Sequence, residues 1–298
     1  MIDLLAPFQY EFFTRGVMAS VLIGGICGIL GVYVILRGMS YIGHGLSHAV
    51  FGGAVASYIL NFNFYIGATA WGFVSALLIN EISKRTRVKA DAAIGVVTTA
   101  GFAIGILLIS LNRTYIRNFE ALLFGNIMGI TNLDLLIIVS VTCIAGAFVF
   151  FFQKQLLFTI FDRETAQVYG VRVSLIDTLF SLVLASVVIA SMSSIGVTLL
   201  AAAIVAPAIS ARMLTNNFLK MIVISCCIGI ATAFLGMYFS FYFNSSSGAT
   251  IVLFGAGAAG IAYAYSLLHR AYHTHRHGEL RHSHPHIHTE KHRHEHHH

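Results

Sequence analysis

His44 and His48 stand four residues apart in the stretch RGMSYIGHGLSHAVFGGAVASY, 37–58, within a run from Gly38 to Asn80 that holds no Lys, Arg, Asp or Glu. On a helix that spacing stacks two imidazoles on one face, about one turn apart, with the hydroxyls of Ser40 and Ser47 nearby. Imidazole is the commonest side-chain ligand of borderline transition metals such as zinc. Ionisable groups inside an apolar span are costly and usually functional. His48 and His44 are therefore the candidate metal ligands, supported by Ser47 and Ser40. The bland alternative is a pair of neutral histidines hydrogen-bonded to neighbouring helices.

The other thirteen of the 15 histidines lie from His269 to His298. The alternation of His273, His275 and His277, and of His282, His284, His286 and His288, puts many neutral imidazoles on a segment too polar to build a core. The segment 269–298 is expected to be a disordered tail that binds divalent metals without forming one fixed site, favouring copper, nickel and zinc over manganese. A metal reservoir or sensor, a merely solvated tail, and histidines appended at His296–His298 are the readings this pattern leaves open.

Other chemistry is missing. No G-x-x-x-x-G-K-[ST] phosphate loop occurs, so ATP, if it is used, must be hydrolysed on another subunit. Gly45 follows His44 where a metalloprotease pair needs a Glu as general base. No Ser/His/Asp arrangement has supporting context. Intramembrane hydrolysis is therefore not expected, the chain does not read as an enzyme, and no permanently bound cofactor is expected.

The elements that must position the pair are membrane helices. Of 298 residues, 57% are hydrophobic and 10% charged; mean hydropathy is +0.80. A soluble surface needs more charge than that. Apolar runs divided by polar turns predict spans near 17–36, 42–60, 64–82, 92–111, 133–152, 175–192, 196–212, 219–243 and 249–268. The charge-free run from Thr178 to Ala211 is short for two crossings, so the total is eight or nine. The expected architecture is an all-α, polytopic transmembrane bundle over 1–268, followed by the tail. Lys and Arg collect in alternate loops, at Arg37, Lys84–Lys89, Lys154–Arg172 and Arg212–Lys220, which places those loops and the tail in the cytoplasm. Cys27, Cys143, Cys226 and Cys227 lie in apolar spans without a C-x-x-C pair, and no cleavable leader is expected ahead of the first span. The net charge of +6 belongs to these loops and the tail, and is no nucleic-acid signature.

Two loops are expected to be structured. Asp162 can cap a short helix from Arg163 to Tyr169, with Gly170 ending it in the left-handed conformation. This helix is either a docking knob for another protein or a connector on the lipid surface. From Arg113 to Thr131, the segment FEALLFGNIMGIT is too short and polar to cross alone and reads as re-entrant.

Five stretches together resemble the integral-membrane permease of the zinc/manganese/iron ABC importers: LRGMSYIGHGLSHAVFGGAVASY at 36–58, KADAAIGVV at 89–97, LLFGNIMGI at 122–130, FDRETAQVYGV at 161–171 and GVTLLAAAIVAPAISARMLT at 196–215. The resemblance implies a permease in the bacterial inner membrane that pairs with a second copy. It also implies ATP-binding cassette ATPase subunits docked inside and an external solute-binding protein that delivers the ion. It assigns Ser47 and His48 to the family's Ser-His pair, and Asp162, Arg163, Glu164, Ala166, Tyr169 and Gly170 to its ATPase-coupling helix. Where the family commonly has an Asp this chain has His44, which implies zinc ahead of manganese as cargo; Arg163 replaces the usual Pro. The rival expectations are a proton-coupled divalent metal transporter working without an ATPase, for which only Asp177 offers an acidic group near a span, and a metal-responsive membrane scaffold.

Overall fold

The computed structural model describes residues 6–39, 41–85, 90–112, 125, 129–197, 199–277 and 280–285. Ser40, most of 113–128 and the tail histidines His286 and His288 lie outside the described residues, and so does the expected re-entrant element.

Ten α-helices carry the described chain: α1 (Glu11–Leu36), α2 (Ile42–Ile59), α3 (Phe64–Arg85), α4 (Ala90–Asn112), α5 (Asn132–Phe161), α6 (Arg163–Val168), α7 (Val173–Ile195), α8 (Leu200–Leu214), α9 (Phe218–Phe243) and α10 (Ser247–Ala271). Seven of them are long and apolar enough to cross a membrane. That is fewer than the eight or nine expected, and the difference has two causes. α2 is diluted by two histidines, its serines and its glycines; α8 is only 15 residues long. The interruption expected before α8 is present: α7 stops at Gly196, whose φ of +90° breaks the helix, and Pro207 sits inside α8.

Polar side chains set several boundaries. The Thr131 hydroxyl accepts from the Asp134 backbone N–H and the Asp134 carboxylate accepts from that of Thr131, a reciprocal cap that starts α5. α5 then runs to Phe161, well past the expected end near 152, because Lys154 lies on a partly exposed face and does not break it. Asn217 caps α9 without a reciprocal bond, its side chain accepting from Lys220 N at 3.1 Å.

Two ends of the bundle are distinguishable. At one, the C-termini of α1, α3 and α5 meet the N-terminus of α7 through Arg37, Asn80, Thr159, Asp177 and Thr178. These are the ends where Lys and Arg collect, so the charge pattern and the packing agree on a single basic end. At the other, Phe13 of α1 packs on Phe241 of α9, and Tyr65 of α3 donates to Asp134 of α5.

α1 is the central helix, packed against α5, α7, α8 and α9. A β-carbon at Gly24 would collide with the carbonyl oxygen of Gly229, and one at Gly229 with that of Gly24. This mutual absence of side chains lets α1 and α9 touch backbone to backbone, which is how helices gain packing energy when lipid supplies no hydrophobic drive. Ser225 of α9 strengthens the contact by donating to the Gly28 carbonyl at 2.6 Å.

Beyond α10 the chain continues directly into two short strands. Strand β1 (Tyr272–His277) pairs antiparallel with β2 (Leu280–Pro285), setting His273 opposite His284 and His275 opposite His282. These are the only strands among the described residues, and the membrane body is all-α.

Candidate functional site

The local sequence brings α1 and α2 together at the basic end. Gly38 adopts φ +66°, and the Met39 N–H reaches back to the Val34 carbonyl at 3.1 Å, so the chain reverses within a few residues. His44 and His48 follow in the first two turns of α2. Their ring centroids are 4.3 Å apart with planes at 74°, as the i, i+4 spacing required.

His48 is half-buried and stands edge-on to Phe102 of α4, 4.8 Å between ring centroids. α4 comes this near because Gly45 has no side chain; a β-carbon there would collide with Ile94. Nδ1 of His48 is buried with no hydrogen-bond partner. A buried polar atom left unpaired destabilises a fold by about 1–3 kcal/mol, so the ring is held at some expense with a nitrogen available. His44 is exposed on the outside of the single chain. Together they form a two-imidazole site, half sunk between α2 and α4 and half open. Among the described residues no group of three or more His, Cys, Asp or Glu is gathered as a metal site.

Ser47 is fully buried, and its hydroxyl donates to the Gly43 carbonyl of its own helix at 2.7 Å. It faces the bundle interior and braces α2; the structure does not bring it to the imidazoles as a hydrogen-bonding partner.

The short helix after α5 takes the expected form. Asp162 accepts from the Thr165 N–H at 2.9 Å and from the Thr165 hydroxyl at 2.5 Å. Those bonds, side chain first, hold its carboxyl below the usual range. The cap therefore persists above the ordinary carboxylate pKa and is lost only as pH falls through the lowered one. α6 ends as Gly170 takes φ +82° and the Val171 N–H bonds the Ala166 carbonyl at 2.9 Å. Ala166 is buried and anchors the turn, while Glu164 is exposed and Val168 and Tyr169 are 84% and 75% exposed. The result is a short capped helix at the basic end with Val168 and Tyr169 as an exposed apolar edge.

One arrangement was not read from the sequence. The Asp177 carboxylate accepts from Arg37 at 2.7 Å through Oδ1 and from Arg163 at 2.7 Å through Oδ2. The available signal was that Arg37 and Asp177 are isolated charges at span ends; 140 residues separate them, so no local pattern pairs them. With both oxygens engaged by guanidinium groups, Asp177 is poorly placed as the proton carrier that a proton-coupled mechanism would need.

Of the tail residues, His273, His275 and His277 fall on β1 and His282 and His284 on β2, in alternating register positions. Residues opposite each other in an antiparallel pair share a face, so all five of these positions lie on one side of the pair.

Residues 9–266 match the ABC 3 transport family. A manganese transport system membrane protein, MntC, from Listeria monocytogenes is 36% identical over 266 residues, covering 89% of this chain and 95% of the relative. The chelated iron transport system membrane protein YfeC of Yersinia pestis is 31% identical over 249 residues, 84% of each chain. Among solved structures, PsaBC from Streptococcus pneumoniae in complex with Fab aligns with a TM-score of 0.79 at 32% identity, covering 88% of this chain and 95% of that one.

Proposed function

Because the chain belongs to the ABC 3 transport family, the membrane permeases of metal-importing ABC transporters, we propose that it carries a divalent transition-metal ion inward past His44 and His48. ATP hydrolysis belongs to a separate ATPase subunit. The observation that carries the proposal is the imidazole pair itself: one ring half-sunk with a free buried nitrogen, the other open, both near the basic end of a multi-pass bundle.

Two nitrogen donors are fewer than the four or more that first-row divalent ions take in closed sites. A conduction site must bind weakly enough to release its ion. His44 is open on the surface of the single chain, so a second copy set against α2 across a two-fold axis would bring an identical pair to face it. The proposed assembly is thus a permease dimer whose route runs between the copies, fed by an external metal-binding protein and driven by ATPases seated on α6. It sits in the bacterial inner membrane with the basic end and the tail in the cytoplasm.

For the cargo, the names of the relatives support manganese or iron, which reverses the order expected from His44. Zinc stays as the second reading, because two imidazoles at 4.3 Å form a softer donor set than a carboxylate with one imidazole. The test is uptake of radioactive manganese, iron and zinc into proteoliposomes holding the permease, its ATPase and its binding protein. His48→Ala should abolish ATP-dependent uptake of whichever ion the unaltered complex moves, and acidification should depress uptake as imidazole lone pairs are protonated. Unchanged transport by His48→Ala would remove that residue from the route.

A further inference from the structure

α6 is only six residues long, and the helices it packs against are α5 and α7. Any motion imposed on it by an ATPase must reach the imidazole pair, which lies on α2. The side chains at the basic end supply a path. Arg163, the first residue of α6, donates to Asp177 of α7, and the other oxygen of that carboxylate receives Arg37 at the end of α1. Arg37 is followed at once by the Gly38 reversal and then by α2, with His44 seven residues on.

The two arms differ. Arg37 and Asp177 are each 8% exposed in their side chains, and the Arg37 guanidinium is further fixed by Thr159 at 3.3 Å and by the Phe180 ring 4.4 Å beneath it. The Arg163 side chain is 55% exposed. The inner arm is therefore clamped, while the outer one has water at hand to replace it. Beside both lies a cavity of about 470 Å³ lined by Arg37, Asn80, Ser83, Thr159, Arg163 and Asp177, among others, which leaves room for the carboxylate to shift. Coupling of this kind requires an element with two arrangements that both sites bias. A carboxylate shared between one fixed and one releasable guanidinium is such an element.

We propose that Asp177 is a positioning residue for transport: through Arg163 on one side and Arg37 on the other, it ties the ATPase-facing helix α6 to the α1–α2 turn that carries the imidazole pair. This rests on the function proposed above. Asp177 touches no cargo; it converts displacement of α6 into displacement of the site.

The experiment counts ions moved per ATP hydrolysed by the complete complex in proteoliposomes. Asp177→Asn alone strands the Arg37 charge in a buried position, so Arg37→Gln combined with Asp177→Asn is the chief variant: it removes both buried charges and leaves Arg163 to solvent. It should assemble in normal amount and still hydrolyse ATP, while ions per ATP fall about tenfold, within the range typical of coupling between sites. Asp177→Glu should restore part of the ratio. An unchanged ratio, or transport and hydrolysis falling together in step with the amount of assembled complex, would overturn the proposal in favour of a purely structural ion pair. If the double variant does not assemble, Arg163→Gln decides: a lowered ratio supports the link and the wild-type ratio refutes it. Absence of ATP-dependent uptake by the unaltered complex is a separate result, and it would remove the transport function and this inference together.

Discussion

If the ion passes the imidazole pair as proposed above, single donor atoms decide its selectivity. Manganese prefers oxygen donors and gains least from nitrogen, whereas zinc binds imidazole well. Exchanging His44 for a carboxylate should therefore move the balance toward manganese while leaving the helix intact, because the side chain is exposed and packs little. In competition uptake, His44→Asp should raise the manganese-to-zinc ratio several-fold; no change would show that this ring does not meet the ion. The same scale explains what a sequence shows and what it hides. The i, i+4 spacing carries the imidazole pair in four letters, and its geometry comes with it. That Ser47 turns inward onto Gly43 depends instead on the angular position of one residue on α2, which only the packing of α2 against its neighbours fixes. Asp177 was visible as a charge near a span end, yet its two partners come from α1 and α6, and nothing local announces either.

At the level of helices, close approach is bought with missing side chains. Gly24→Val should force α1 and α9 apart at the centre of the bundle, lowering thermal stability in detergent or the amount of protein reaching the membrane. Gly257→Ala, where no atom lies within 4 Å of the new carbon, is the matched control and should be silent. Equal effects would mean that the α1–α9 seam is not the constraint. Glycine spacing in the sequence pointed to tight packing in general, without saying which pairs touch: Gly24 meets Gly229, far away along the chain, while Gly257 meets nothing. Caps were more legible. Asp162 with Gly170 defines α6 from sequence alone, since both act within a few residues of themselves. The extent of α5 was not legible, because a lysine on a partly exposed face looks like a boundary in a hydropathy trace and is none in the helix.

For the molecule as a whole, the clear division is between the packed body and the histidine-rich end of the chain. α10 ends at Ala271 and the paired strands come directly after it. Ending the chain after Arg270 should leave the maximal uptake rate nearly unchanged and alter how uptake responds to metal supply, read as uptake against metal concentration. Loss of all transport at normal membrane levels would show instead that the tail belongs to the translocation machinery. The whole-chain view also bears on how the protein is made. α2, the 18-residue helix that carries the imidazoles, is not among the seven helices long and apolar enough to cross by themselves. A nascent segment with two histidines near one end and few large apolar side chains partitions poorly from the translocon into lipid by itself. α3 and α4 pack against it, so their surfaces can shield it as it enters the bilayer. A helix built around two imidazoles thus leans on its neighbours for its own entry into the membrane.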